Sequence, residues 1–441
     1  MTEFPERCHV LISFKDVVDD IYGLPASSLR GKRNIAAFLA KKIDKPSSLR
    51  RIRTSIPVDE RNYRIDFSGY EVVNEPRDIN GRIAFRAVEG KGEFIIAGRG
   101  EIIGRAYDAV EDPRNINGRI VFHATLNNKE FLVTEKGRML GGKYDSVGNP
   151  VEVNGHIFFR AREGDGGFIV SDKGDRIGGV YDSVSDPKDI GNRIVFKAGD
   201  GKRQFITDDK GNRIGGEYEY AGMPQDVNGR IVFWAREASR YFIVNEEGRL
   251  STDEYDALGD PKFIDGKIVF RAKRKKQWSM VTETGKRIGE TYDSVLDPVD
   301  IAGRVTFCAN LAGSYLVIKD GLTVGRKYTA VIDPKDIAGR LFFKAEDRQQ
   351  QFVIDEKGEA VGGVYEHVSI PQDVKGHVTF WARKNSRYFI VNEKGLRHNT
   401  DYDEIYSLTA LAKGGAYVIA RKGHCYVKEM IDKDFFGKSG L

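Results

Sequence analysis

Cysteine is scarce in this chain. Cys8, Cys308 and Cys425 are its only three, too few and too far apart for a disulfide framework. No run of 18 apolar residues occurs, which excludes a hydrophobic helix able to span a bilayer. The N-terminus, MTEFPERCHVLISF, lacks the basic stretch and apolar run of a secretory signal. A soluble, intracellular, cytoplasmic protein is the expectation. The seven histidines are scattered, and neither HExxH nor CxxC spacing occurs. GxSxG, the P-loop and the dinucleotide fingerprint are also missing. GRGEIIG at 98–104 follows strand-like sequence and opens no helix, so it is not a phosphate loop. No catalytic residue, cofactor or metal ligand is therefore assigned from sequence.

Glycine, by contrast, is plentiful: 49 of 441 residues, as a chain of many tight turns requires. The net charge is +5, but it is unevenly placed. Residues 28–54 hold nine Lys or Arg against one acid, Asp44, an excess of +8, while residues 1–27 sum to −3. The remainder is near neutral.

The strongest signal is a repeat. YDSVSDPKDIGNRIVFKA at 181–198 returns as YTAVIDPKDIAGRLFFKA at 328–345. The tyrosines Tyr70, Tyr107, Tyr144, Tyr181, Tyr218, Tyr255, Tyr292, Tyr328, Tyr365 and Tyr402 recur every 37 residues, with one step of 36 between Tyr292 and Tyr328. So strict a period marks a repeat architecture. Within one unit, RIVFKA, RQFITD, RIGG and EYEYA read as four strands, separated by turns rich in Asp, Asn and Gly. Proline falls only in the connection, here GMPQDVNG. Four short antiparallel strands match a propeller blade. Apolar residues on both faces, Ile194 and Phe196 against Val195, require a covered sheet, which radial stacking supplies. An open β-solenoid is the alternative.

Nine complete units are followed by LTALA, AYVIA and HCYVKEM, which read as the first three strands of a tenth. YEVVNEP at 70–76 reads as the missing fourth, so an N-terminal strand is expected to close the last blade. The fold class is thus all-β, a ten-bladed propeller over residues 61–441. It is preceded at 1–60 by a basic, partly helical segment and linker. Two five-bladed rings are the rival arrangement.

The stretches DKGNRIGGEYEYA, DEKGEAVGGVYEHV and TEKGRMLGGKYDSV resemble the bacterial WG-repeat family. There an Asp-x-x-Gly turn precedes a short strand and a Tyr-Asp-x-Ile/Val ending, as in Tyr144-Asp145-Ser146-Val147 and Tyr181-Asp182-Ser183-Val184. RQFITDD and EFLVTEKG stand where the family has Trp-Gly or Tyr-Gly before the turn. The resemblance covers residues 70 to about 405, and implies repetitive β-structure in an interaction module.

Several residue sets are candidates for function. The Tyr-Asp pairs recur in most units and read as architecture. Arg82, Arg119, His156, Arg193, Arg230, Lys267, Arg304, Arg340 and His377 open the first strand of successive units. If that strand lines a channel, they form a cationic ring at its mouth, able to hold an acidic partner. The preceding loop aspartates, such as Asp189, either neutralise them or cap loop amides. Residues that break the repeat are better ligand candidates. Trp234 and Trp381 replace the Lys197 position, each near an Arg-Tyr pair, Arg240-Tyr241 and Arg387-Tyr388. The basic turn Lys273, Arg274, Lys275, Lys276 lies beside Trp278. An indole near arginines suits a sugar, a base or a peptide, or simply fills a blade. In the N-terminal segment, Lys32, Arg33, Lys41 and Lys42 flank a helical stripe of Ile35, Phe38, Leu39 and Ile43. Such a helix can meet nucleic acid, anionic lipid or protein, or pack on the propeller.

The expected function is a non-catalytic scaffold that binds a protein or other macromolecule. Three alternatives stand beside it. The first is a hydrolase or lyase at the channel mouth, with His123, His156 and His377 as candidates. The second is nucleic-acid binding through the basic segment, and the third a lectin-like glycan site.

Overall fold

A computed structural model describes residues 62–436, apart from Lys91, Thr252 and 412–414. The chain is an all-β, ten-bladed propeller. Each repeat supplies one separate antiparallel sheet, and a short helix, Lys433–Phe436, follows the last strand.

Blade 4 shows how the sequence builds a sheet. The long strand Arg193–Asp200 turns at Gly201, in the left-handed region at φ 60°, into the return strand Arg203–Asp208. The glycine strand Arg213–Tyr218 follows, with a register break between Phe205 and Ile206 that bends the pair. The fourth, edge strand comes in two pieces, Ser183–Val184 and Lys188–Ile190, both paired with the long strand. Pro187 lies between them, where no ladder bond is needed. In blade 8 the pieces join as Ala330–Ile337, and the register breaks between Ile332 and Lys335, beside Pro334.

This corrects the phase of the expected unit. The Tyr-x-x-Val piece does not close its own blade as a fourth strand, and the Pro-Lys-Asp-Ile stretch is not a bare connection. Tyr220–Ala221 and Gln225–Val227 both pair with Arg230–Glu237 of the next sheet. The crossing between blades falls instead at the Tyr-Asp step. Its aspartate caps the next hairpin: the Asp182 carboxylate accepts from the Gly201 N–H at 2.6 Å, and Asp293 from the Ala312 N–H at 2.7 Å.

The last blade is closed by an N-terminal strand, but not the expected one. Val72–Val73 and Arg77–Ile79 belong to blade 1, paired with Arg82–Glu89. Tyr63–Asp66 closes blade 10 by pairing antiparallel with Cys425–Ile431. The other two strands are Glu404–Ala410 and Ala416–Lys422. The expected assignment was thus one strand out. The final repeat drops the proline connection, so its edge strand turns directly into its long strand. Asp403 confirms the alignment by accepting from the Gly423 N–H at 2.6 Å, as Asp182 does from Gly201.

The chain divides into two compact units. The first holds blades 1, 2 and most of blade 10. Here Tyr426 packs on Phe67 and Phe85, with ring centroids 4.4 and 5.1 Å away. The Tyr417 hydroxyl donates to Asp78 at 2.6 Å and the Lys428 ammonium to the Gly81 carbonyl at 2.6 Å. The second unit, built on Gly148–Asp401, repeats one apolar contact. The tyrosine that ends each glycine strand packs edge-on against a phenylalanine of the next long strand. Tyr181–Phe196, Tyr218–Phe233, Tyr292–Phe307 and Tyr328–Phe343 all lie near 6 Å. These phenylalanines are fully buried. The two faces of each sheet serve different neighbours: Ile194 and Phe196 pack with Ile169 of blade 3, and Val195 with Ile231 and Phe233 of blade 5. Where glycine strands meet, backbone touches backbone: a Cβ at Gly358 would lie 2.5 Å from the Gly325 Cα.

Candidate functional site

The cation series sits at the first residue of each long strand. That strand has partners on both sides, so it is interior to its sheet rather than an edge. The loop aspartates do not neutralise the cations; they cap turns. Asp78, Asp226, Asp300, Asp336 and Asp373 each accept from a glycine N–H three residues on, at 2.6–2.9 Å. A second acid series, at the turn after the return strand, pairs with the cations. Arg82 meets Glu135 at 2.6 Å, Arg193 meets Glu246, and Arg340 meets Glu393 at 3.3 Å, each across to the next blade. Arg304 meets Asp320 at 3.0 Å, His156 meets Asp172 at 3.5 Å and His377 meets Glu393 at 3.1 Å within one blade. Lys267 turns to Asp265 at 2.9 Å. Arg119 and Arg230 are exposed and have no ion pair among the described residues. Burial opposes ionisation of Glu135 and Glu393. Hydrogen bonds from Arg82, and from His377 and Arg340, outweigh it and hold both carboxyls below the usual range. The second series was visible in the sequence, since Glu135, Asp172, Asp209, Glu246 and Glu283 recur every 37 residues.

The repeat-breaking aromatics form two matching clusters. On blade 5, Trp234, Arg236 and Tyr241 share one sheet face with Tyr220, because directly paired strand residues point the same way. Trp234 and Tyr241 lie 5.5 Å apart, and Arg236 stacks 3.9 Å from Tyr220 and 5.9 Å from Tyr241. Trp234 is pinned: its Nε1 donates to Asp260 at 3.2 Å, and its indole lies where a Cβ on Gly222 would be. On blade 9 the same places hold Trp381, Arg383, Tyr388 and His367. Trp381 lies 5.4 Å from Tyr388 and 5.3 Å from His367, and Arg383 is 5.9 Å from Tyr388. The Nε atoms of Arg236 and Arg383 are buried without a hydrogen-bond acceptor, though Glu219 and Glu366 lie 4.0 and 3.5 Å off. Arg240 pairs with Asp256, while Arg387 stands opposite Lys384 at the hairpin end. Sequence pointed to Trp234, Tyr241, Trp381 and Tyr388. It missed Arg236, Arg383, Tyr220 and His367, whose membership depends on pairing register.

The third candidate is spread out. Trp278 stacks with Arg271 at 5.2 Å and Lys273 at 5.7 Å. Arg274 turns away to Asp253 at 3.0 Å and to the Tyr255 ring. Lys275 takes the left-handed turn position, its N–H given to Asp256, and Lys276 is exposed beside it. His123, His156 and His377 stand on three different blades, each beside its own carboxylate, Glu111 for His123 at 3.6 Å. Burial pushes the Cys308 thiol up to about 12, and the Asp333 carboxylate adds to this. A cavity of about 650 Å³ in the first unit is lined by polar groups that bond one another. Asn74 donates to Asp112 at 2.6 Å, and Arg77 meets the same carboxylate at 3.2 Å. Among the described residues, no three His, Cys, Asp or Glu side chains come together as a metal set, and no helix is long and apolar enough to cross a membrane. Lys32, Arg33, Lys41 and Lys42 lie outside the described residues.

No family model matches the chain, and no curated protein does. Among solved structures it is similar to a eukaryotic initiation factor, 9% identical over 78% of this chain and 97% of that one, with a TM-score of 0.43. It is similar to the dihydro-heme d1 dehydrogenase NirN, 11% identical over 88% and 89%, with a TM-score of 0.35. It is also similar to the β-propeller domain of the Trilobed protease from Pyrococcus furiosus, 12% identical over 58% and 95%, with a TM-score of 0.31.

Proposed function

We propose that this protein is a non-catalytic scaffold that engages a macromolecular partner, a protein first of all, through the twin clusters on blades 5 and 9. One observation carries the reading. The same constellation, Trp-Arg-Tyr with a fourth aromatic, is written twice, four blades apart, and no other blade of the second unit carries the combination. Blade packing alone does not call for it, since blades 4, 6 and 7 pack with Lys197, Arg271 and Cys308 at the tryptophan position. Pinned aromatics beside arginine are the composition of interface anchors. Tyr220 keeps 48% of its surface exposed, so the blade 5 cluster is open to a partner. The WG-repeat resemblance supports an interaction module.

Crosslinking in the source cells, read by mass spectrometry, supplies the partner, which is then purified and titrated. The variant Trp234→Ala/Tyr241→Ala/Trp381→Ala/Tyr388→Ala should bind it at least about tenfold more weakly, a change of roughly 1.4 kcal/mol. Circular dichroism should show the β-sheet signal retained. Equal affinity for that variant overturns the assignment of the clusters. Saturable binding of a glycan or an oligonucleotide at the same tryptophans, with no protein partner, overturns the protein-first reading.

A further inference from the structure

In blades 3, 5 and 6 of the second unit, the residue at the middle of the long strand reaches toward the next blade. There it meets the residue just before the edge-strand proline. Arg160 bonds to Asp186 at 3.2 Å, Trp234 to Asp260 at 3.2 Å and Arg271 to Asp297 at 2.7 Å. Cys308 feels the field of Asp333 in the same relation. In blades 3, 5 and 6 a bonded carboxylate thus fills this point between blades. Blades 4 and 8 keep the proline but lack the acid. Lys197 and Lys344 hold the mid-strand position, and the residues before Pro224 and Pro371 are Met223 and Ile370. Lysine at mid-strand and the missing acid thus occur together, in two blades four apart.

Neither lysine side chain has an ion pair or hydrogen bond among the described residues. Lys344 is only 9% exposed. The stems are covered while neither Nζ is fully buried, and partial desolvation penalises the charged form. Burial accordingly holds both amines below the ordinary lysine range, with Glu346 partly offsetting this at Lys344. Met223 and Ile370 are both part-exposed, so a part-exposed apolar side chain stands where other blades have the acid. At Lys344, His367, itself stacked on Trp381, is a further polar neighbour, and Glu346 acts on both.

We propose that Lys197 and Lys344 anchor two homologous sites for an organic carboxylate bearing an apolar tail. The carboxylate takes the place that Asp186, Asp260 and Asp297 fill elsewhere, and the tail lies along Met223 or Ile370. The inference goes beyond the scaffold reading and does not depend on it. The same chemistry arises from a free small acid or from the C-terminus of a partner chain.

Isothermal titration of the full-length protein distinguishes these sources. Hexanoate should bind with a stoichiometry of about two, and acetate, which lacks the tail, about tenfold more weakly. N-acetyl-leucyl-leucine binding tighter than hexanoate, with its amide silent, identifies a chain terminus; equal affinities identify a free acid. Lys197→Met/Lys344→Met keeps the stems and should abolish the heat. Met223→Asp/Ile370→Asp supplies the missing carboxylate from within, so it should also abolish binding while raising the Tm. The proposal is overturned if wild type gives no saturable heat with either acid. It is equally overturned if binding survives unchanged in the lysine pair or in the aspartate pair.

Discussion

Glu393 does two jobs with one carboxylate. It receives the ring of His377 and the Val378 N–H from its own blade and the guanidinium of Arg340 from the blade before. Its carboxyl is depressed in the folded state, so its contribution to stability is complete above the ordinary Glu range. That contribution is lost as pH falls through about 4.3 and then through the lower folded value. Glu393→Gln should therefore cost about 1–2 kcal/mol at pH 7, and the gap from wild type should close toward pH 3. Urea midpoints of both proteins at pH 7, 5 and 3 read this directly. A gap that stays constant with pH would place the cost in packing rather than charge. Residue types at fixed spacing were legible here, the acids as much as the arginines. Which acid faces which base was not, because that partner lies 53 positions away and becomes a neighbour only when blades stack.

At the level of strands, the 37-residue period announced sheets of four strands and their number. It did not announce where each sheet begins. A repeat has length but no marked start, and the boundary is set by hairpin bonds such as those from Gly201 to Asp182. Tyr70–Pro76 therefore looked like a spare strand, while the strand that pairs with Cys425–Ile431 is Tyr63–Asp66. Ile65, within it, is fully buried. Ile65→Asp forces a charge into that core and should detach the strand, leaving Cys425–Ile431 as an open edge. Hydrogen exchange should then rise in blade 10 while the return strands of blades 4–8 keep wild-type protection, and light scattering should show concentration-dependent association. A monomer with unchanged exchange in Cys425–Ile431 would show that the strand contributes little to closure.

For the molecule as a whole, each blade of the second unit leans on the next through one tyrosine and one buried phenylalanine. Stability should then pass between neighbours and decay beyond them. A double-mutant cycle on Tyr292→Ala and Phe307→Ala should give a coupling energy of about 0.5–1.5 kcal/mol. The same tyrosine cycled against Phe380→Ala, three blades on, should be additive within about 0.5 kcal/mol. Exchange-derived free energies of the return strands supply both numbers, and equal couplings would argue for a single indivisible cooperative unit. The latch strand adds an asymmetry in time. Arg64 bonds to Cys425, 361 residues downstream. At ordinary rates of synthesis, of about 5–20 residues per second, that partner emerges roughly 20–70 s later. Through that interval Tyr63–Asp66, the first strand among the described residues, stands unclaimed, with its hydrogen-bonding edge bare. The nascent chain thus carries a bare edge able to stick to a neighbour until blade 10 is made, and translation speed becomes a determinant of yield.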